Sequence, residues 1–284
     1  MRLTADRSDD RPIGMFDSGF GGLTVARAVI DLLPAEDLVY VGDTGRYPYG
    51  PRDQGEVRRF AHQIGDFLVR EHDVKMVIVA CNTAAAAGLA SLAETLPVPV
   101  VSVIEPGARS LVKATRSGRV GVIGTVGTIA SGAYQRAVAA AAVDGPVELT
   151  CAACPGFVEF VERDEVDTDQ AHVLAERLLA PIVAAEVDTL LLGCTHYPYL
   201  ARTIGDAVGR DVVLVSSADE TAFEVRSILE AAGVGRHRGS RTGVHRFLSS
   251  GDTTWFQHLG ARLLGPELAG VESVSWTEPH RSVR

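Results

Sequence analysis

Two cysteines carry the chemistry open to this chain. Cys81 closes the run Met76-Val77-Ile78-Val79-Ala80 and is followed by Asn82-Thr83, while Cys194 closes Leu190-Leu191-Leu192-Gly193 and is followed by Thr195-His196. Short, bounded apolar runs of this kind read as strands buried on both faces, as in a parallel sheet. Ligands of open α/β sheets bind outside the carboxyl ends of the strands. Two thiols in that position, in matching contexts, suggest a site with a thiol on each side. A thiol titrates at about 8.5 when unperturbed, and helix N-termini or cationic neighbours lower that value. One thiolate can therefore take a proton from a carbon while the opposite thiol delivers one, which inverts the centre with no metal and no pyridoxal. Both cysteines are expected just before helix starts, at Thr83 and after Thr195, where unpaired backbone N–H groups also hold carboxylates. Acidifying a carbon-bound hydrogen falls to electrostatics and desolvation. Polar partners stand nearby in sequence, and of these Asp17 and His196 are suited to relay protons to a cysteine.

The elements that must position these groups alternate. A strand at 13–16 ends at Asp17-Ser18, and a helical pattern runs over 23–33. A strand over 37–42 enters a Gly- and Pro-rich loop at 43–51, followed by a helix over 53–72, the first cysteine strand, an alanine-rich helix over 83–96 and a strand over 98–103. After Glu105-Pro106-Gly107 the pattern restarts. It gives a strand at 119–124, a helix over 131–143, a strand over 147–152, a loop or short turn over 154–162, a helix over 168–186 and the second cysteine strand. A strand at 212–215, a helix to Ala232, a strand at 244–248 and a helix around 255–264 follow. Strand–helix alternation predicts an α/β fold of two doubly wound parallel-sheet domains. Its restart suggests internal duplication, hence pseudo-twofold symmetry with the active site in the cleft between the domains. The expected division is 12–103 plus 214–264 for the first domain and 104–213 for the second.

Composition narrows the function classes. The 284 residues carry a net charge of −9, with 46% apolar and 22% charged residues. That balance argues against a general nucleic-acid or membrane-surface binder, which needs clustered Lys and Arg. No apolar run reaches the roughly 18 residues of a membrane span. Residues 1–11 are polar and read as a disordered leader without a signal peptide's apolar segment, so the expected compartment is the cytoplasm, with all four cysteines as thiols. Cys151 and Cys154 form a Cys-x-x-Cys, but no second pair accompanies them, and a structural role is the better reading. His196 has no second histidine or carboxylate cluster at metal-ligand spacing, so no metal is expected. Gly19 to Gly22 lack the Lys-Ser/Thr of a phosphate loop. The basic loop 236–241 reads as solvated surface.

The motifs also resemble a known family. Ile13-Gly14-Met15-Phe16-Asp17-Ser18-Gly19-Phe20-Gly21-Gly22-Leu23-Thr24-Val25 is similar to the N-terminal signature of glutamate racemases. Asp43-Thr44-Gly45-Arg46-Tyr47-Pro48-Tyr49-Gly50 resembles their second loop, and Ala80-Cys81-Asn82-Thr83-Ala84 and Leu192-Gly193-Cys194-Thr195-His196-Tyr197-Pro198 resemble their two catalytic motifs. The similarity runs in order from about residue 12 to 260. It implies a cofactor-independent racemase that converts L-glutamate to D-glutamate for peptidoglycan, with Cys81 and Cys194 as acid/base residues and Asp17 and His196 as their assistants. It further implies that Asp17, Ser18, Tyr49, Gly50, Asn82, Thr83, Thr195 and His196 touch the substrate. Cys81 would handle the proton of D-glutamate and Cys194 that of L-glutamate. Glu162 aligns with the family's assisting glutamate on the Cys194 side, although Glu159-Phe160 stands where the family has Pro-Leu, which leaves Glu159 as an extra carboxylate nearby. A homodimer is the default implied, and some members are reported to bind DNA gyrase. Aspartate or a hydantoin is the alternative substrate, because pocket size is not legible in one sequence.

Overall fold

Every strand pairing in the computed structural model, which describes residues 8–143, 145–236 and 241–276, is parallel. Residues 1–7 of the expected leader and 237–240 of the basic loop lie outside the described residues. The first half runs β1 (Ile13–Asp17), α1 (Leu23–Leu32), β2 (Leu38–Gly42), α2 (Gln54–His72), β3 (Met76–Val79), α3 (Asn82–Thr95), β4 (Val100–Ser102) and α4 (Ile104–Ala114). The second runs β5 (Arg119–Gly124), α5 (Val126–Ala130), α6 (Ala133–Ala141), β6 (Glu148–Ala153), α7 (Phe157–Glu162), α8 (Asp169–Ala184), β7 (Thr189–Gly193), a 3-10 turn (Tyr197–Leu200), α9 (Ala201–Val208) and β8 (Val213–Val215). The chain then adds α10 (Ala218–Ala232), β9 (His245–Ser249), α11 (Thr253–Leu264) and β10 (Glu272–Ser273).

Strand order is β10-β9-β2-β1-β3-β4 in one sheet and β6-β5-β7-β8 in the other. Removing β9 and β10 leaves the same order twice: second, first, third, fourth. Cys81 and Cys194 therefore follow equivalent strands, β3 and β7, each the neighbour of its half's opening strand. Ile78 and Val79, like Leu190 and Leu191, are sealed on both faces by helices, which is why these strands lack polar alternation.

Four local expectations differ from the structure. The segment at 105–107, expected as a break, is the first turn of α4, where the missing N–H of Pro106 costs no helical hydrogen bond. The helix expected over 131–143 is α6, which opens after Gly132 in a left-handed conformation (φ +69°), and a further short helix not expected from sequence, α5, precedes it at Val126–Ala130. The loop expected over 154–162 contains α7, which opens at Gly156 (φ +95°) and buries Phe157 and Val161 on one face. The division drawn after residue 213 falls inside β8, whose pairing with β7 keeps Val213, Leu214 and Val215 in the second sheet.

The approach to β7 is set by Asp188. Its carboxylate accepts from the Thr115 hydroxyl (2.6 Å) and the backbone N–H groups of Arg116 (2.7 Å) and Ser117 (2.6 Å). Burial disfavours the charge, but these donors prevail and hold Asp188 well below the usual carboxylate range. A folded value below the unfolded one, about 3.9, means stability that is present above pH 4 and lost as pH falls through the folded value. Asp188→Asn is expected to cost roughly 1–3 kcal/mol at pH 7. In urea titrations the gap to the parent protein should narrow steadily below about pH 4; a gap independent of pH would remove this assignment.

Candidate active site

The carboxyl ends of the two sheets face one cavity of about 100 Å³. Its wall takes Ser18 from the end of β1, residues 47–51 from the loop after β2, and Cys81, Asn82 and Thr83 from the end of β3. From the other half come Thr125 and Val126, the segment around Cys154 to Glu159, and Cys194, Thr195 and His196. Both cysteines thus line the same cavity, contributed by opposite halves.

Cys81 caps α3. Its backbone is extended (φ −69°, ψ 115°) and its Sγ accepts the Ala84 N–H at 3.4 Å. The helix starts at Asn82, one residue earlier than expected from sequence. Burial pushes the thiol up to about 12, and the nearby charge of Asp17 adds to that, against the lowering effect of the N–H of Ala84 and the hydroxyl and N–H of Ser18. Burial thus holds Cys81 as the thiol, the form that donates a proton. Asp17 itself does not line the cavity. It is fully buried behind Ser18, with Oδ2 accepting the N–H groups of Gly19 and Gly22 (both 3.1 Å) and Oδ1 accepting the Thr195 hydroxyl at 3.4 Å.

Cys194 stands differently. The chain makes the 3-10 turn at Tyr197–Leu200 before α9 begins, so no α-helix N-terminus opens at Cys194. What meets its sulfur is the His196 ring, with Nδ1 at 4.0 Å from Sγ. The other ring nitrogen, Nε2, lies 2.9 Å from Glu162 Oε1. Burial pulls the imidazole pKa down, but the contacts with Cys194 and Glu162 outweigh it and raise it to about 10. These contacts favour the imidazolium form of His196, which is clasped between a sulfur and a carboxylate. The Phe20 ring meets it edge-on at 5.0 Å and the Tyr47 ring stacks at 6.2 Å. A Cβ at Gly21 would come within 2.5 Å of His196 Nδ1, so only glycine lets β1's loop approach this closely.

The remaining expected residues are gathered here too, with distinct tasks. The Asn82 amide donates to the Tyr134 hydroxyl at 2.6 Å. The Thr83 hydroxyl meets that of Thr125 at 2.9 Å, and Thr125 in turn meets Thr128 at 2.9 Å, so a chain of hydroxyls joins the two halves. Tyr49 turns its hydroxyl away to Asp43, and the Gly50 carbonyl accepts the Gly127 N–H at 3.1 Å, which ties the loop of one half to the other. Glu162 stands behind His196 rather than on the wall, whereas Glu159, one turn earlier on α7, is on the wall and exposed.

Wall residues outside the expected set include Tyr47, Thr125 and Cys154. Tyr47 and Thr125 gave no local signal. Cys154, read as structural, lines the cavity while nearly fully buried, its thiol pushed up to about 12 by burial and then by the neighbouring Cys194. All four cysteines are free thiols, as expected.

The sequence model of the Asp/Glu/Hydantoin racemase family matches residues 17–224 of this chain. The glutamate racemase of Acidothermus cellulolyticus is 51% identical over 263 residues, covering 93% of this chain and 98% of its own. Among solved structures, a glutamate racemase isoform from Bacillus anthracis superposes with a TM-score of 0.87 at 42% identity, covering 95% of this chain and 98% of its own. A glutamate racemase from Francisella tularensis, solved in complex with D-glutamate, superposes with a TM-score of 0.85 at 32% identity, covering 94% of this chain and 98% of its own.

Proposed function

The chain belongs to the Asp/Glu/Hydantoin racemase family, and we propose that it is a glutamate racemase whose two bases are Cys81 and Cys194. One observation supports the mechanism most directly: a thiol on either side of one cavity, each at the equivalent strand end of a duplicated sheet. In this reading the substrate lies with its α-carbon between the two sulfurs. The thiolate of one cysteine takes the α-proton, and the thiol of the other delivers a proton to the opposite face. Going from L- to D-glutamate, Cys194 is the base and Cys81 the acid, and the reverse reaction exchanges those roles. His196 faces Cys194 and holds or returns its proton; Asp17 sits behind Cys81.

Among the described residues, none that lines the wall is Lys or Arg. The substrate's carboxylates are therefore met by hydroxyls and N–H groups: Ser18, Thr83, Thr125, Thr195, the Asn82 amide and the first turn of α3, whose dipole favours anions. Such donors are aimed where the enolate charge develops and need little reorganisation, the form of stabilisation that lowers a carbon-acid barrier most. The 51% identity to a protein named glutamate racemase favours glutamate over aspartate or a hydantoin.

The decisive assay incubates the purified protein with L-glutamate in D2O in the presence of a chelator. Circular dichroism should decay to zero while deuterium enters the α-position of the product. A steady signal with glutamate and a decaying one with aspartate would reassign the substrate. Homodimer assembly and gyrase binding are finer parts of the same reading, supported by family resemblance. Sedimentation tests the first, and a supercoiling assay with Cys81→Ala protein tests the second, since inhibition independent of the thiol is a separate role. Cytoplasmic supply of D-glutamate to peptidoglycan completes the reading.

A further inference from the structure

The loop over 43–51, which brings Tyr47 to Pro51 to the cavity wall, is short of regular structure, yet a buried carboxylate at its root gathers donors from the loop and from the end of the chain, beside the Thr44–Ser249 and Gly45–Ser250 bonds. Asp43 is completely buried and accepts four side-chain donors. Oδ2 takes Arg46 Nε at 2.7 Å and the Tyr49 hydroxyl, both from the loop itself. Oδ1 takes the Ser250 hydroxyl and the Trp276 indole Nε1–H, each at 2.6 Å. The last two come from the far end of the chain, beyond residues 17–224 that the family model spans. The Arg46 guanidinium also lies over the Trp276 ring at 4.8 Å and over the Phe60 ring at 4.1 Å, and the Trp276 ring meets Phe67 edge-on at 5.5 Å. The strap that delivers it is itself fastened: β10 pairs with β9, and the Val274 N–H bonds the Ser249 carbonyl at 2.9 Å.

We propose that Trp276 is a positioning residue for the substrate loop, acting through Asp43 to hold residues 43–51 in the conformation that receives the substrate. The proposal rests on the racemase reading for its kinetic consequence and on geometry alone for its structural one. A buried carboxylate with one donor removed loses a charge-assisted bond and leaves an oxygen half-served. The loop then samples open arrangements before the substrate arrives. No group in the loop moves a proton in the reaction, so the occupied complex reacts normally. When only a fraction of the protein is competent to bind, the apparent dissociation constant rises by the inverse of that fraction.

Trp276→Phe keeps the ring and removes the donor. Relative to the parent, KM for glutamate should rise about tenfold with kcat within about twofold, for both enantiomers. Amide hydrogen exchange of residues 43–51, measured on the full chain without substrate, should accelerate about tenfold while the amides of β1 and β3 keep their rates. Glu272→Gln, which breaks an exposed pair with Arg246 on the same strap, should leave both readouts at parent values. Unchanged exchange in the loop overturns the proposal, as does acceleration spread evenly over the sheet, which marks a global loss of stability. A fall in kcat at constant KM also overturns it. If the parent protein fails to racemise glutamate, the functional reading fails, and the exchange measurement still decides the role of Trp276.

Discussion

Cys81→Ala and Cys194→Ala are each expected to lower racemisation by at least about a thousandfold, within the range spanned by losing a positioned acid/base group. The enantiomers have equal free energy in an achiral solvent, so the equilibrium constant is one, and kcat/KM must be equal in the two directions for every variant. Neither replacement can spare one direction. The variants should differ in a half-reaction. With Cys81 absent, Cys194 can still remove and return the proton on its own face, so deuterium from D2O should enter one enantiomer without inversion. With Cys194 absent, the other enantiomer should exchange. The carry-over from family resemblance makes L-glutamate the enantiomer exchanged by Cys81→Ala. Exchange of the same enantiomer by both variants, or full racemisation by either, would sink the two-base assignment. The fold should survive both changes. Cys81 makes one N–H···S cap to α3, whose loss costs about 1 kcal/mol, and neither side chain bridges the sheets.

His196→Asn should reduce turnover by about a hundred- to a thousandfold, because it removes the cation that faces Cys194 and strands Glu162. Glu162→Gln is the more informative variant. The carboxylate 2.9 Å from Nε2 helps keep the imidazole charged up to about pH 10. Without that charge the folded pKa falls back toward the ordinary value of about 6.5. The alkaline limb of the pH–rate profile should therefore move to lower pH in Glu162→Gln, while the acid side of the profile changes little. Stability follows the same sign. A histidine whose folded value lies above its unfolded one contributes stability that is fully present below about pH 6.5 and lost as pH rises toward 10. Superimposable profiles for the parent and Glu162→Gln would show that Glu162 does not act through His196. Removing one member of a buried pair can also unfold a protein, so the unfolding midpoint of each variant belongs beside its rate.

Much of the architecture was legible because it depends on neighbours in sequence. Apolar runs such as 76–80 and 190–193 are long enough for a strand and too short for a helix. Their alternation with helical patterns leaves a doubly wound parallel sheet as the economical arrangement. The segments that resisted reading were those where a single residue decides the backbone. Gly132 separates α6 from the short α5 that precedes it, Gly156 starts α7 inside what reads as a loop, and Pro106 sits harmlessly in a first turn where it looks like a break.

The sequence by itself determined that two thiols end equivalent strands and that Asp17, Ser18, Asn82, Thr83, Thr195 and His196 surround those ends, because strand ends and the residues after them are set by local pattern. Only the tertiary structure decided which of these groups meet. Glu162 reaches His196 across 34 residues, Thr83 reaches Thr125 across 42, and Trp276 reaches Asp43 across 233. Contacts of that kind depend on how the carboxyl ends of the two sheets come together, on the direction in which α7 leaves Gly156, and on where the last strand returns to the first sheet. No stretch of adjacent residues encodes those directions; they follow from burying the shared core, and the chemistry of the cleft follows from them.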